Sequence, residues 1–249
     1  MDLLKQRETD PLRDCMPLSS ITDRLLDVKT YAINRGIPTY LFDHLYAAES
    51  LNVISNRIEK YADRRYPDFP VIVIPFFRGD FSYSYIQCRT ITNNPTNTQR
   101  FTTFELDQNA PKLWGEYKLN WHKPIYILEG PIDAMFIDNG VALAGASVNS
   151  TISYLSHNQQ IHTGIIDNKQ LCFTFDNDYL YNEQIFKLLS NRIDEGFSAV
   201  LYDKEFKWKD INDAFSVGEW TIDEINTYVA SRTFQGLKAK LELAKLKKR

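Results

Sequence analysis

LEGPIDAM, residues 128–135, follows directly on the apolar run PIYI, residues 124–127. An ionised side chain is costly to take out of water without a partner. A carboxylate at the end of an apolar strand, as Glu129 is here, therefore needs a reason. Asp133 adds a second acid one helical turn later, and Pro131 suits the first position of a helix, where its missing N–H is not needed. The run reads as a strand, a tight turn and a helix, PIDAMFIDNG, that Gly140 would close.

Outward from there the rhythm repeats. VALAGA (141–146) reads as a strand and 147–164 as irregular or helical; LCFTFDND (171–178) is a strand and YNEQIFKLLSNRIDEG (181–196) a helix ended by Gly196. SAVLYD (198–203) is a further strand, and KDINDAF (209–215) opens a last helical segment. Strands alternating with helices imply an α/β fold with a parallel sheet. Such sheets gather ligands at the carboxyl ends of their strands.

Acids sit at those ends. Glu129 closes one strand, Asp176 and Asp178 close another at an i, i+2 spacing that points both to one face of an extended chain, and Asp210 and Asp213 follow a third. Asp133 lies on the first turn after Glu129, where an acid also suits the helix dipole. Taken singly, such acids are often caps or turn residues. Taken together they are like charges that repel unless a cation joins them, and an all-oxygen donor set suits Mg²⁺ or Mn²⁺. Two such ions could clamp the oxygens of a phosphoryl transfer.

Upstream the pattern differs. PVIVIPFF (70–77), the turn-like RGD and the alternating SYSYIQCR (82–89) read as an antiparallel hairpin. NNPTNT (93–98) is a polar loop, and RFTTFEL (100–106) is extended again. Residues 20–63 read mainly as helices, TDRLLDVKTYAI being stopped by Gly36 and Pro38. Arg78, Arg89, Arg100 and Lys112 make this middle region basic.

The 249 residues suffice for one large domain or two intimate ones, and 43% hydrophobic with 24% charged residues is ordinary for a globular chain. No apolar run reaches membrane-spanning length, and MDLLKQRETD has no secretory pattern, so a cytoplasmic protein with no membrane partner is expected. Three scattered cysteines and four histidines offer no disulfide framework and no zinc-ligand spacing, so no zinc is expected. The net charge of −3 does not exclude nucleic acid, because basic residues can gather on one face.

LEGPIDAM, FDND and KDINDAF, in that order with VALAGA and AVLYD between them, resemble the TOPRIM domain of topoisomerases and bacterial-type DNA primases. VIVIPFFRGDFSYSYIQCRTI, then Arg100-Phe101, then PKLWG (111–115), resembles the subdomain that precedes TOPRIM in primases, and YAINRGIPTYLFDHLYAA resembles the helical entry of phage primases. The likeness spans about residues 20–215. It implies an α+β basic subdomain over 1–120, a TOPRIM domain of parallel sheet flanked by helices over 121–218, and a helical tail over 219–249. It further implies a primase catalytic subunit: a nucleotidyltransferase that makes RNA primers from ribonucleoside triphosphates on a single-stranded DNA template during DNA replication.

On this resemblance Glu129, Asp176 and Asp178 are the catalytic metal ligands, supported by Asp133 and Asp210. Arg78, Arg89, Arg100, Lys112 and Lys209 would hold template or nucleotide phosphates. A replicative helicase is the implied partner, and the setting is an infected bacterial cell if the chain is phage-encoded. Two departures stand out. The family's zinc-ribbon module is absent, no four-ligand Cys/His set being present, and a separate polypeptide could supply it in trans; Asp210-Ile-Asn212-Asp213 replaces a motif in which two aspartates commonly flank a proline. The rival readings are a TOPRIM metal-dependent nuclease and a non-catalytic nucleic-acid-binding replication factor.

Three smaller features remain. GVALAGAS (140–147) nearly fits a phosphate-binding loop, but Ala146 stands where its lysine belongs, so it reads as a buried strand and turn. Tyr83, Tyr85 and Phe101 could stack bases, although aromatics in strands more often form core or cross-strand pairs. The basic tail KAKLELAKLKKR, with Leu237, Leu241 and Ala244 on one stripe, reads as a helix docked on its own domain, or else as a docking surface for helicase or DNA.

Overall fold

The computed structural model describes residues 10–91 and 100–247. Two compact units emerge, one from residues 1–77 with 82–110 and one from 78–81 with 111–249. The polar loop expected at 93–98 lies outside the described residues.

The first unit carries an antiparallel sheet of β1 (Met16–Pro17), β2 (Tyr46–Ala48), β3 (Val71–Phe77), β4 (Tyr83–Thr90) and β5 (Phe101–Glu105), in that order. The expected hairpin is β3 against β4, with a register shift between Pro75 and Phe77. Every residue of β3 is buried, which explains why its sequence is continuously apolar rather than alternating. Helix α1 (Leu26–Asn34) starts after Leu25, whose backbone is left-handed, so no side chain caps it. Gly36 at φ +69° turns the chain out of it, as its position predicts. The segment 41–66 is mixed: it supplies β2 and the short helix α2 (Leu51–Ser55). Leu51, Ile54 and Tyr61 form a core with Val73, Ile86, Cys88 and Phe104, where Tyr61 meets Phe104 edge-on at 5.2 Å.

The second unit holds a mixed sheet whose order is β10-β9-β8-β6-β7. Its strands are β6 (Ile125–Leu128), β7 (Gly140–Ala142), β8 (Leu171–Phe173), β9 (Ser198–Val200) and β10 (Thr233–Phe234). The pairs β6–β7, β6–β8 and β8–β9 are parallel, and β10 is antiparallel to β9. The helices are α3 (Pro131–Ala134), α4 (Val148–Thr163), α5 (Glu183–Asp194), α6 (Ile211–Ser216), α7 (Ile222–Ser231) and α8 (Gly236–Lys247).

Two local expectations are corrected here, and one left open is settled. The helix after LEGP spans only four residues, and Gly140 opens β7 instead of closing that helix. A Cβ on Gly140 would stand 2.9 Å from the Ala134 carbonyl oxygen, so glycine is there to let strand and turn pass closely. Of the two readings for 147–164, irregular or helical, the helical one holds: residues 148–163 are one long helix, ended by left-handed Gly164. In α8 it is Ala239 and Leu243 that are buried, while Leu237, Leu241 and Ala244 form the outer face. The helix packs on α5 and β9, and Lys240 ties it to Asp194 at 2.6 Å.

GVALAGAS is β7 and a turn built by Ala144 and Gly145, both at positive φ. The Leu-Trp-Gly run 113–115 also gains a physical reason. Trp114 is buried and bridges Ala142, and Gly115 at φ +94° lets the chain pass Gly140, whose carbonyl a Cβ would meet at 2.8 Å. Among the described residues no helix is long and apolar enough to cross a membrane.

Candidate active site

β6 lies between β7 and β8, so the chain steps to one side of β6 and then returns to the other. That reversal opens a crevice at the carboxyl ends of β6 and β8, where ligands of open α/β sheets bind. Glu129 leaves β6 into this crevice. Its carbonyl accepts the Ala144 N–H at 2.9 Å, which fixes it to the turn after β7, and its carboxylate accepts the Asp176 N–H. The ends of β6 and β8 are thereby joined through the Glu129 side chain and the Asp176 backbone.

Asp176 follows β8, and its carboxylate lies 3.4 Å from Lys209 Nζ. Burial first, then the negative charges of Glu129 and Asp210, push its pKa up to about 6 against the pull of Lys209. Partial loss of hydration and the Asp178 charge likewise raise Glu129, opposed by the Asp176 N–H and by Lys209. Asp178 is exposed and sits in a 3-10 turn, Asn177–Leu180, not on an extended chain. Its proximity to Glu129 therefore comes from that turn rather than from the strand alternation that the i, i+2 spacing suggests.

Asp133 and Asp210 complete the group. Asp133 accepts the Asn212 N–H at 3.0 Å, and burial followed by the Asp210 charge raises its pKa. Asp210 caps α6 by accepting the Asp213 N–H at 2.8 Å. Asp213 itself is an ordinary first-turn acid of α6.

Two asparagines have roles beyond those expected from the sequence, where Asn212 stood only as a departure from the aspartate motif. Asn177, between the paired aspartates, donates its side-chain N–H groups to the Phe206 and Trp208 carbonyls at 3.0 and 3.1 Å, and its backbone N–H to the Lys209 carbonyl at 2.7 Å. It clamps the loop after β8 to the loop that carries Lys209 and Asp210. Asn212 is buried, and its backbone holds Asp133. The polar residue inside each acidic motif was the available signal. Beneath these loops Tyr202 and Phe206 stack at 4.3 Å, Phe206 and Tyr228 at 5.4 Å, and Trp208 meets Trp220 at 4.9 Å.

The basic residues divide between the units. Arg89 and Arg100 belong to the first. Arg89 stands directly opposite Phe101 across β4 and β5, and its guanidinium lies over the Phe101 ring at 4.9 Å and the Tyr31 ring at 5.6 Å. Phe101 is 40% exposed, whereas Tyr85 is buried and Tyr83 packs edge-on against Phe77. Arg78 and Lys112 belong to the second unit. Arg78 hydrogen-bonds Tyr154, and Lys112 Nζ lies beside the Gly145 turn at the carboxyl end of β7.

Among the described residues no three Cys, His, Asp or Glu side chains are disposed to hold a metal ion as they stand. The chemistry of the donor set nonetheless fits a hard cation. Five carboxylates are linked through their charges, and those of Glu129, Asp133 and Asp176 are each raised by a neighbouring acid. Mg²⁺ is characteristically held by one or two carboxylates, with water and substrate phosphates filling its other positions. The arrangement is an open site of that kind, not a closed cage.

No family model matches the chain. It is 25% identical over 238 residues to the DNA primase of Enterobacteria phage T4, covering 95% of this chain and 65% of that one. The E. coli primase catalytic core superposes with a TM-score of 0.61 at 13% identity, over 97% of this chain and 81% of that chain. The RNA polymerase domain of Mycobacterium tuberculosis primase, solved with a double-stranded DNA oligomer bearing a 6-nucleotide overhang, gives 0.64 at 12% identity, over 91% and 77%. At such identities the structural likeness establishes the fold, which is that of primase catalytic cores.

Proposed function

We propose that the chain is the catalytic part of a TOPRIM-type DNA primase, which joins ribonucleotides into short primers on a single-stranded DNA template. The observation that carries this reading is that Glu129 and Asp176, at the carboxyl ends of two adjacent parallel strands, feel each other's charge, and that Glu129 also feels that of Asp178. The phage and bacterial relatives support it. Its substrates would be ribonucleoside triphosphates, its principal partner a replicative helicase, and its setting the cytoplasm of an infected bacterial cell if the chain is phage-encoded. A zinc-ribbon module that helps select the priming site would be a further partner.

Glu129, Asp176 and Asp178 would hold the divalent ions, Mg²⁺ or Mn²⁺, with Asp133 and Asp210 as outer members of the group. When bound, such ions supply charge neutralisation at the phosphates and lower the pKa of the attacking hydroxyl. The chain's own residues do the positioning. The Asp176 N–H orients the Glu129 carboxylate and the Asn212 N–H orients Asp133, while Lys209 offsets the negative charge beside Asp176. Lys112 and Arg78 in this unit, and Arg89 and Arg100 in the other, offer phosphate partners. Arg89 suits a strand especially, because stacking on Phe101 holds the plane of its guanidinium in one orientation.

The test is incubation with single-stranded DNA, Mg²⁺ and labelled ribonucleotides, with and without a helicase from the same source and a zinc-ribbon protein. Labelled oligoribonucleotides are expected, and Glu129→Gln or Asp178→Asn should cut their yield by about a thousandfold, roughly 4 kcal/mol of transition-state stabilisation. DNA degradation without nucleotides would assign a nuclease instead. DNA binding with no synthesis under any of these conditions would leave a binding factor.

A further inference from the structure

Beside the acids, the second unit has a cavity of about 690 Å³ that primer chemistry does not yet use. It lies between the loop after β8, the loop after β9 and the end of α8, with Asp178 and Lys209 on its wall toward the acidic crevice. Its volume is that of a pocket for a small ligand. Phe206 and Trp208 give it an aromatic wall, and both belong to the packed cluster described above, so the surface is rigid. Tyr181 stands at its mouth with 92% of its surface exposed, an unusual position for a large ring.

The charge lining is one-sided in effect. Lys204 and Lys207 are exposed and, among the described residues, neither forms an ion pair. The other acid of the lining, Asp203, is occupied: Tyr228 donates its hydroxyl hydrogen to it at 3.1 Å, and Arg232 lies 3.7 Å away. Two cations without partners and a solvent-facing ring, over a fixed aromatic wall, match a group with a flat π-face and an anionic tail.

We propose that this cavity is a second nucleotide subsite, in which a base stacks on Tyr181 and Trp208 while Lys204 and Lys207 hold its phosphates. It rests on the primase reading for its role, which is to deliver or retain a nucleotide next to Asp178. Base stacking tolerates any base, because every base has a π-face. The subsite therefore binds by charge and stacking, without sequence preference. The ligand is either a free nucleoside triphosphate or one nucleotide of a strand, and both present the same chemistry.

The experiment uses the full chain in EDTA, where the acidic crevice can contribute no metal-bridged affinity. Two probes are titrated: a methylanthraniloyl derivative of ATP, and a fluorescein-labelled single-stranded oligonucleotide. Parent protein is compared with Tyr181→Ala/Lys204→Ala/Lys207→Ala and with a charge control, Lys123→Ala/Lys169→Ala. The control lysines are exposed and precede β6 and β8, at the opposite edge of the sheet. All substituted residues are at the surface, and equal melting temperatures check that each variant is folded.

The triple variant should bind at least one probe about tenfold more weakly, while the control is unchanged. If the oligonucleotide is affected, its salt slope should also fall by about 1.4, near 0.7 for each lysine–phosphate pair removed. Weakening of the ATP probe alone assigns a free nucleotide, and weakening of the oligonucleotide assigns a strand; either supports the subsite. Unchanged affinities, equal weakening in the control, or a parent that binds neither probe would overturn it. Primer synthesis by the parent is scored separately: primers with unaltered probe affinities remove only the subsite, and weakened affinities without primers remove only the primase reading.

Discussion

Neutralising Asp176 should make the metal-free protein more stable while abolishing its chemistry. The Asp176 pKa rises from 3.8 to about 6, so keeping it ionised at pH 7.5 costs the folded chain about 3 kcal/mol, at 1.36 kcal/mol for each pH unit. The side chain is 23% exposed, so solvent screens only part of this. Asp176→Asn removes the cost but also the Lys209 contact, worth about 0–1 kcal/mol because that lysine is 63% exposed. The net gain is then about 1–2 kcal/mol. At about 2–4 °C for each kcal/mol in a chain of this size, the variant should melt about 2–8 °C higher in EDTA at pH 7.5. The sign with pH follows. Protonated Asp176 is favoured by folding, so its stabilising effect is full below pH 3.8 and is lost as pH rises through about 6. The parent should therefore gain stability between pH 7.5 and 5, and the variant should gain less. Added Mg²⁺ should raise the melting temperature of the parent at pH 7.5 and barely move that of the variant. Differential scanning calorimetry in EDTA reads all of this. A variant that melts below the parent there, with a parent indifferent to Mg²⁺, would show that the acids do not repel as described.

Two further outcomes concern the scaffold. Gly115→Ala places a Cβ 2.8 Å from the Gly140 carbonyl at a backbone φ of +94°, so it should cost about 2–4 kcal/mol, seen as a lower urea midpoint at unchanged slope; a loss under about 0.5 kcal/mol would deny the close approach. Asn177→Ala leaves two carbonyls without their donor and frees the loop of Lys209 and Asp210, so primer yield should drop about tenfold with a stability loss of about 1–3 kcal/mol. Asn177→Asp, which cannot donate, should be no better, and full activity in either variant would contradict the clamp.

Much of this architecture is legible because parallel-sheet strands are written as short apolar runs with turn residues after them. IYIL, LCF and SAV are such runs, and each is buried almost throughout. Reading acids at their ends needed only the order of segments. Helix lengths were harder. PIDAMFIDNG has helical periodicity over ten residues, but only four are helical, because the chain must turn early to enter β7 beside β6. Gly140 looks the same in sequence whether it closes a helix or admits a neighbouring carbonyl. The tail misled for a related reason: Leu237, Leu241 and Ala244 and the pair Ala239 and Leu243 are both valid helical stripes, and only the surface of α5 and β9 selects the second. The asparagine clamps left only a faint signal, a polar residue inside each acidic motif, since bonds to groups distant in sequence leave no local periodicity.

The acidic edge also shows why those clamps are needed. Carboxylates that repel would separate if their loops were free to move, and loops at strand ends are the least restrained parts of such a sheet. Here each loop is tied by a neutral donor: Asn177 joins 177 to 206–209, the Asn212 N–H joins α6 to Asp133, and the Asp176 N–H joins β8 to Glu129. The backbone N–H donors to Glu129 and Asp133 favour the charged carboxylate without adding a net positive charge to the crevice, while the Asn177 amide ties the loops through their carbonyls. Lysines in their place would neutralise the acids and leave a divalent ion little to bind. By restraining the acids with N–H groups, the fold keeps negative charge concentrated at one edge of the sheet, where a cation can complete it.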